Sequence, residues 1–418
     1  MKNKFKDVYG MPDPACVYKF TWSTIRLYQQ TTNSCYHQTQ LEPIPVDDFD
    51  SFHNTPHKLD ARQEMLDGKW PSNNSCRYCK DIEKVGGISD RTGANSQIIP
   101  PSEILKNNRS INVTPTIVEV YFNNLCNMSC IYCSALNSTT WENENRKFKL
   151  VPQAELDSYD KNKQDYPVIL EKYWNWLKKN ASSLTEYNIL GGEPFFQPEF
   201  EQNIEFFENN PCPNLDITVF SNLKVKNKKF KDILNRIQIL INNKHIKSFR
   251  LKCSIDSWGD QEEYIRYGLN LMQWEENFKI VVEEYPDIKI AVHSTMCNLN
   301  IKTIVDLFKK INEYNSYRFK HNTTLIEISF TLLKNPKYLQ VDIFPNKFFD
   351  NDFEQIIKFA PTEFLKKQMK GFQTMINEHP YQPDLVDKLK LELDAIDNRR
   401  NLNWKLTFPW LEEFTNDI

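Results

Sequence analysis

From Thr114 onward the chain alternates short runs of β-branched and aliphatic residues with longer stretches in which apolar positions recur every three or four residues. Short apolar runs bounded by turn residues read as buried strands, and three-four spacing reads as a helix with one apolar face. Strands are predicted over Ile117–Phe122, Glu186–Leu190, Leu215–Phe220, Ser248–Ile255, Lys289–Thr295 and Leu325–Leu332. Helices are predicted between them over Val168–Leu177, Glu199–Glu208, Phe230–Ile241 and Ile301–Tyr314. Parallel strands need such crossovers, so the alternation predicts an α/β fold with a partial, TIM-like (β/α)6 barrel over residues 112–345. After Pro345 the pattern is helical, with Leu385–Ile396 and the aromatic Phe408-Pro409-Trp410, so residues 346–418 are predicted to form a helical extension on the barrel. Residues 1–105 show little periodicity but hold Cys16, Cys35, Cys76 and Cys79, which predicts a small metal-stapled domain. Its end is expected in a connector from Gly86-Gly87 to Pro100-Pro101.

Composition narrows the function. With 52 basic and 55 acidic residues the formal net charge is -3, which leaves no global field for nucleic acid or an anionic membrane. The run Lys224–Lys231 reads as the solvated start of a helix rather than a phosphate-binding stripe. No apolar stretch approaches the roughly 20 residues of a membrane span, and MKNKFKDVYGMPDPAC lacks the apolar core of a signal peptide. A cytoplasmic protein is expected, in which thiols stay reduced and the ten cysteines serve as metal ligands, reactive groups or core fillers.

The strongest chemical signal is Cys126-Asn-Met-Ser-Cys130-Ile-Tyr-Cys133, just beyond the first predicted barrel strand. Thiolates are preferred ligands of zinc and of iron–sulfur clusters, and a cubane ordinarily takes four. Three local cysteines would leave one iron open, as catalytic metals generally keep a vacant position. A zinc site, or three unrelated buried thiols, would fit the same residues. Downstream, Gly191-Gly192-Glu193-Pro194 reads as a strand end, a glycine turn that lets backbone approach a ligand, and a carboxylate able to accept from an ammonium.

The triplet, with Tyr132 before its last cysteine, and the GGEP segment resemble the radical S-adenosylmethionine superfamily. The resemblance implies that the amino and carboxylate groups of S-adenosylmethionine bind the open iron of a [4Fe–4S] cluster and that one electron cleaves the sulfonium to a 5′-deoxyadenosyl radical. It implies that Glu193 and the backbone of Gly191, Gly192 and Pro194 hold the cofactor's amino group. Polar residues at later strand ends, Ser221, Asn222, Ser254 and Asp256, are expected to contact its ribose and carboxylate, with Arg266 pairing with the carboxylate. As residues alone, Asn222 and Asp256 read equally as turn or cap residues, and Arg266 as one half of a surface or structural ion pair.

Cys16, Cys35, Cys76 and Cys79 have the count for a saturated cluster or a tetrahedral zinc. Together with Glu83, Ser89 and Arg91 they resemble the twitch domain of SPASM/twitch enzymes, placed here before the barrel, with Thr31 where related domains often have glycine. That implies an auxiliary iron–sulfur cluster working in electron transfer, which suits an oxidation or bond-forming reaction. It also implies an electron donor such as flavodoxin or ferredoxin, and a substrate that is a peptide or protein, or a small polar metabolite. Cys212, Cys253 and Cys297 read as core residues, with Cys297 also a potential hydrogen-atom donor at a strand end. No histidine shows metal-ligand spacing and no nucleophile elbow or P-loop occurs. The alternative is a non-catalytic zinc-binding interaction module, which would give Cys126 and the GGEP turn no role.

Overall fold

The computed structural model describes residues 3–35, 41–84, 89–98 and 111–416. They fall into two compact units, one built from Met1–Asn124, Arg146–Thr218 and Asn242–Lys247, the other from Leu125–Asn145, Val219–Ile241 and Ser248–Ile418.

The first unit contains β1 (Trp22–Arg26), β2 (Thr31–Asn33), β3 (Glu42–Pro43), β4 (Ile117–Tyr121), β5 (Glu186–Leu190) and the start of β6 (Cys212–Ser221), in the order β3-β2-β1-β4-β5-β6. β1 runs parallel to β4, pairing Trp22 with Ile117 through Arg26 with Tyr121, and β4 runs parallel to β5. β2 and β3 extend the edge in antiparallel register. The cysteine-rich N-terminal segment thus contributes three strands to the sheet. Its polar sequence hides them, because β1 buries Ser23 and Thr24 through hydrogen bonds alongside Trp22 and Ile25. The Thr24 hydroxyl donates to the buried Glu119 carboxylate at 3.0 Å, and the fully buried Lys58 ammonium reaches Ser23 Oγ, Thr32 Oγ1 and the Phe52 carbonyl. Buried polar groups persist only when bonded in this way.

The helix Gln153–Asn180 begins well before the expected Val168 and continues through Pro167. A proline there forfeits one backbone hydrogen bond. The helix offsets that loss by burying Tyr159, Ile169, Tyr173, Trp176 and Leu177, with Tyr173 edge-on to Phe122 at 5.5 Å. In the expected connector, Asp90–Gln97 is a helix whose first turn is capped by Ser89. The remainder of that connector, residues 86–88 and 99–101, lies outside the described residues.

The second unit carries the end of β6 with β7 (Ile246–Ser254), β8 (Lys289–Met296) and β9 (Glu327–Leu332), in the order β6-β7-β8-β9. β7 with β8 and β8 with β9 pair in parallel, Arg250 opposite Lys289 and Ala291 opposite Glu327. Each of the six strands predicted in the barrel region is present, with ends shifted by a few residues. The C-terminal helices Asp350–Phe359, Glu363–Asn377 and Pro383–Arg400 share one core with this sheet, in which Met296, Phe308 and Phe330 pack with Phe353, Leu389 and Phe408. In the lysine run, the helix begins at Asn227, so Lys224 stands in the loop before it and is not part of a solvated helix. Among the described residues no helix is long and apolar enough to cross a membrane.

Candidate functional site

The three-cysteine loop opens the Leu125–Asn145 segment of the second unit. Its backbone is tied to the segment that ends the short helix Asp260–Ile265: Ser129 N–H donates to the Tyr267 carbonyl at 2.9 Å and Ile131 N–H to the Ile265 carbonyl at 2.8 Å. The helix Thr139–Phe148 grips it from the other direction. Thr139 and Thr140 hydroxyls donate to the Cys126 carbonyl, Ser138 Oγ to the Met128 carbonyl, and Trp141 Nε1 to the Cys130 carbonyl at 2.7 Å. Gly268, at φ +99°, passes so near that a Cβ would stand 3.3 Å from the Asn127 carbonyl oxygen. Only glycine combines that φ with that approach.

Asn222 and Lys224 complete the loop's cradle. Asn222 Nδ2 donates to Asn127 Oδ1 at 3.1 Å and lies 4.0 Å from Cys126 Sγ. The Lys224 ammonium donates to the Asn127 carbonyl at 3.0 Å, and Asn127 Nδ2 returns a bond to the Lys224 carbonyl at 2.7 Å. Sequence reasoning missed Lys224, whose place in a lysine-rich run masked it. Ser221 Oγ accepts from Leu223 N–H in the turn after β6, and Ser254 ends β7, half-buried.

Tyr132, Asp256 and Arg266 are brought together. The Tyr132 hydroxyl donates to Asp256 Oδ2 at 2.5 Å and receives Arg266 Nη1 at 2.6 Å, while Arg266 Nη1 also reaches Asp256 Oδ2 at 3.2 Å. Asp256 Oδ1 accepts from Thr295 N–H at 2.8 Å, so both its oxygens are engaged by the chain itself. Glu262 lies beside them, unflagged by the sequence because it reads as an ordinary acid in a helix's first turn. Its carboxylate accepts from the Asp256 and Ser257 N–H groups. Burial, then the Asp256 charge, pushes Glu262 up to about 8. Burial likewise pushes the Cys130 thiol up to about 12, with the Arg266 charge pulling the other way. Burial lowers Lys224, and the proximity of Cys126 opposes it. Two cations therefore stand by the loop, where they favour thiolate over thiol.

In the first unit, Gly191 and Gly192 turn the chain after β5 at φ +84° and +55°. A Cβ on Gly191 would stand 2.8 Å from Tyr121 Cβ, so the close approach here is to Tyr121. Glu193 is buried, and its carboxylate accepts from Phe195 N–H at 3.1 Å to cap the turn Pro194–Phe196. Gln197 Nε2 donates to the Gly191 carbonyl at 2.8 Å and fixes the turn.

The four N-terminal cysteines line one pocket of the first unit, with Tyr18, Lys19, Trp70, Ser75, Tyr78, Asp90 and Arg91. Burial pushes Cys16 well above its ordinary value, and neighbouring Cys76, Cys35 and Cys79 push it further. Backbone donors face the sulfurs, Tyr18 at Cys16 and Arg91 at Cys79, while the Ser89 hydroxyl donates to Glu83. Among the described residues no three cysteine, histidine or acidic side chains converge as one metal ion requires. Cysteines of a cubane each hold a different iron and need no common point, so a thiol-lined pocket with donors toward sulfur fits a cluster. Cys212, Cys253 and Cys297 are buried in the core. None of the ten cysteines, all of them among the described residues, is in a disulfide.

No curated protein matches the sequence. Among solved structures, the chain is similar to Streptococcus suis SuiB bound to S-adenosylmethionine, with 14% identity and a TM-score of 0.39 over 72% of this chain and 62% of that one. A second S. suis SuiB structure is similar at 11% identity and a TM-score of 0.34, over 66% of this chain and 64% of that one. TYW1 with a lysine-pyruvate adduct bound is similar at 17% identity and a TM-score of 0.30, over 60% of this chain and 72% of that one. The chain thus spans less than two thirds of the SuiB chain. Residues 115–255, which hold the three-cysteine loop, the glycine turn and Asn222, match the family described as a 4Fe-4S single cluster domain.

Proposed function

We propose that the chain is a radical S-adenosylmethionine enzyme of the SPASM/twitch type. The observation that carries this reading is the loop of three thiols, held by backbone bonds on one side and side-chain bonds to its carbonyls on the other and flanked by Lys224 and Arg266, within a segment that matches a 4Fe-4S domain family. Cys126, Cys130 and Cys133 would hold a [4Fe–4S] cluster and leave one iron for the amino and carboxylate groups of S-adenosylmethionine. When bound, the cluster and that cofactor supply one-electron cleavage of the sulfonium and a 5′-deoxyadenosyl radical for hydrogen abstraction.

The chain's own residues orient and balance charge. Arg266 and Lys224 favour thiolates at Cys130 and Cys126. Tyr132, clamped by Asp256 and Arg266, fixes the loop between the last two cysteines. Glu193 and the backbone of Gly191, Gly192 and Pro194 would receive the cofactor's ammonium, and Ser221, Asn222 and Ser254 its ribose and carboxylate. Cys16, Cys35, Cys76 and Cys79 would hold an auxiliary cluster that takes up the electron left on a substrate radical. A reduced flavodoxin or ferredoxin would supply electrons, and the substrate would be a peptide or protein, or a small polar metabolite.

Anaerobic reconstitution with counting of iron and sulfide tests the two sites. About eight irons are expected in the parent, and about four in either Cys126/Cys130/Cys133→Ala or Cys76/Cys79→Ala. Zinc in place of iron would overturn the reading in favour of a non-catalytic zinc-binding module.

A further inference from the structure

Lys19 lies in the short helix Val17–Thr21 and is only 2% exposed, yet it faces the pocket lined by Cys16, Cys35, Cys76 and Cys79. Its ammonium donates to Ser34 Oγ at 3.1 Å and Ser75 Oγ at 3.0 Å, both neutral, and among the described residues no carboxylate pairs with it. The other cation at this pocket, Arg91, is committed to Glu83. Ser75 in turn stands 3.8 Å from Cys76 Sγ. A buried ammonium is tolerated when an opposite charge shares its environment, and two serine hydroxyls do not supply one. Thiolates, and a cluster bound by them, do.

We propose that Lys19 is the counter-cation of the N-terminal thiolate site and raises the reduction potential of the cluster held there. The inference rests on the proposed auxiliary cluster. A cubane with four thiolate ligands is an anion, and one-electron reduction adds a further negative charge without breaking a bond. A fixed, desolvated cation therefore stabilises the reduced form more than the oxidised one. Net charge and hydrogen bonds to sulfur are among the levers that set such potentials. Ser34 and Ser75 hold the ammonium in place and act as positioning residues. A raised potential suits a site that receives electrons.

The test uses full-length protein with Cys126, Cys130 and Cys133 replaced by alanine, so that only the N-terminal site binds iron, and titrates its reduction by dithionite under EPR. Lys19→Met is expected to lower the midpoint, and Lys19→Arg to restore most of it. Iron bound with an unchanged midpoint in Lys19→Met would overturn the role of Lys19 alone. Failure of the background protein to bind iron would overturn the auxiliary cluster and the inference with it. Thermal unfolding guards against a purely structural explanation. Without iron, Lys19→Met should melt at or above its parent, because an uncompensated buried charge is gone, and after reconstitution it should melt below. Equal destabilisation in both states would contradict the proposal.

Discussion

Arg266 does more than its position after a strand suggests. It bridges Tyr132 of the cysteine loop and Asp256 at the end of β7, with Glu262 against the same group. Removing one member of a buried ion pair leaves the other uncompensated, at a cost of about 3–5 kcal/mol. Arg266→Met should therefore destabilise the chain by that amount in denaturant titration; a loss below about 1 kcal/mol would mean the network is solvated. Glu262 supplies a pH signature. With its pKa raised to about 8 in the folded state, the folded chain keeps a proton that the unfolded chain releases near pH 4.3. The Glu262 contribution to stability is thus full below about pH 4.3 and falls as pH rises toward 8. Glu262→Gln should remove this fall, so melting curves of parent and variant that diverge between pH 5 and 8 support it, and parallel curves contradict it. Asp256 was legible in the sequence because a polar residue just past a buried strand stands out, and Arg266, which ends the helix Asp260–Ile265, only through the family resemblance. Glu262 and Lys224 were not, because an acid in a helix's first turn and a lysine in a lysine-rich run are ordinary on any surface.

At the scale of elements, the cysteine loop is held by a helix that is itself braced. The Arg400 guanidinium lies 4.6 Å from the Trp141 ring and 4.7 Å from Tyr267, and with Arg399 it pairs with Glu144 at 3.0 and 2.9 Å. The last turn of Pro383–Arg400 thereby supports the side chain that bonds the Cys130 carbonyl. Trp141→Phe keeps the ring but removes that bond, and should cost about 1 kcal/mol in a melt and lower iron retention at the triplet; full iron at parental stability would show that the bond is dispensable. Gly191→Ala should be worse for a different reason. Its φ of +84° and a Cβ 2.8 Å from Tyr121 combine backbone strain with a clash, which should cost more than about 1 kcal/mol by denaturant titration. The predicted strands were legible because each buries an apolar run. β1 and β2 were hidden, since much of their burial is of hydroxyls, Ser23 and Thr32 bonded to Lys58, and β3 is only two residues long; the helix through Pro167 runs further than predicted because a proline ordinarily marks a boundary.

At the scale of the whole chain, the C-terminal helices are part of the second unit's core, since they share Met296, Phe308 and Phe330 with β8, β9 and their crossover helix. The three-cysteine loop belongs to that unit and the N-terminal thiols to the other. Both cysteine sets stood out by their spacing, whereas the contribution of the N-terminal segment to the sheet did not, because pairing of β1 with β4 joins residues far apart in sequence. The Cys126, Cys130 and Cys133 triplet is proposed to serve S-adenosylmethionine cleavage. The most direct measurement is 5′-deoxyadenosine formation by reconstituted protein given dithionite and S-adenosylmethionine, in the parent and in Cys126/Cys130/Cys133→Ala. Product from the parent alone, with about four irons retained by the variant, is the predicted result. Equal product from both, or none from a folded, iron-loaded parent, would contradict it.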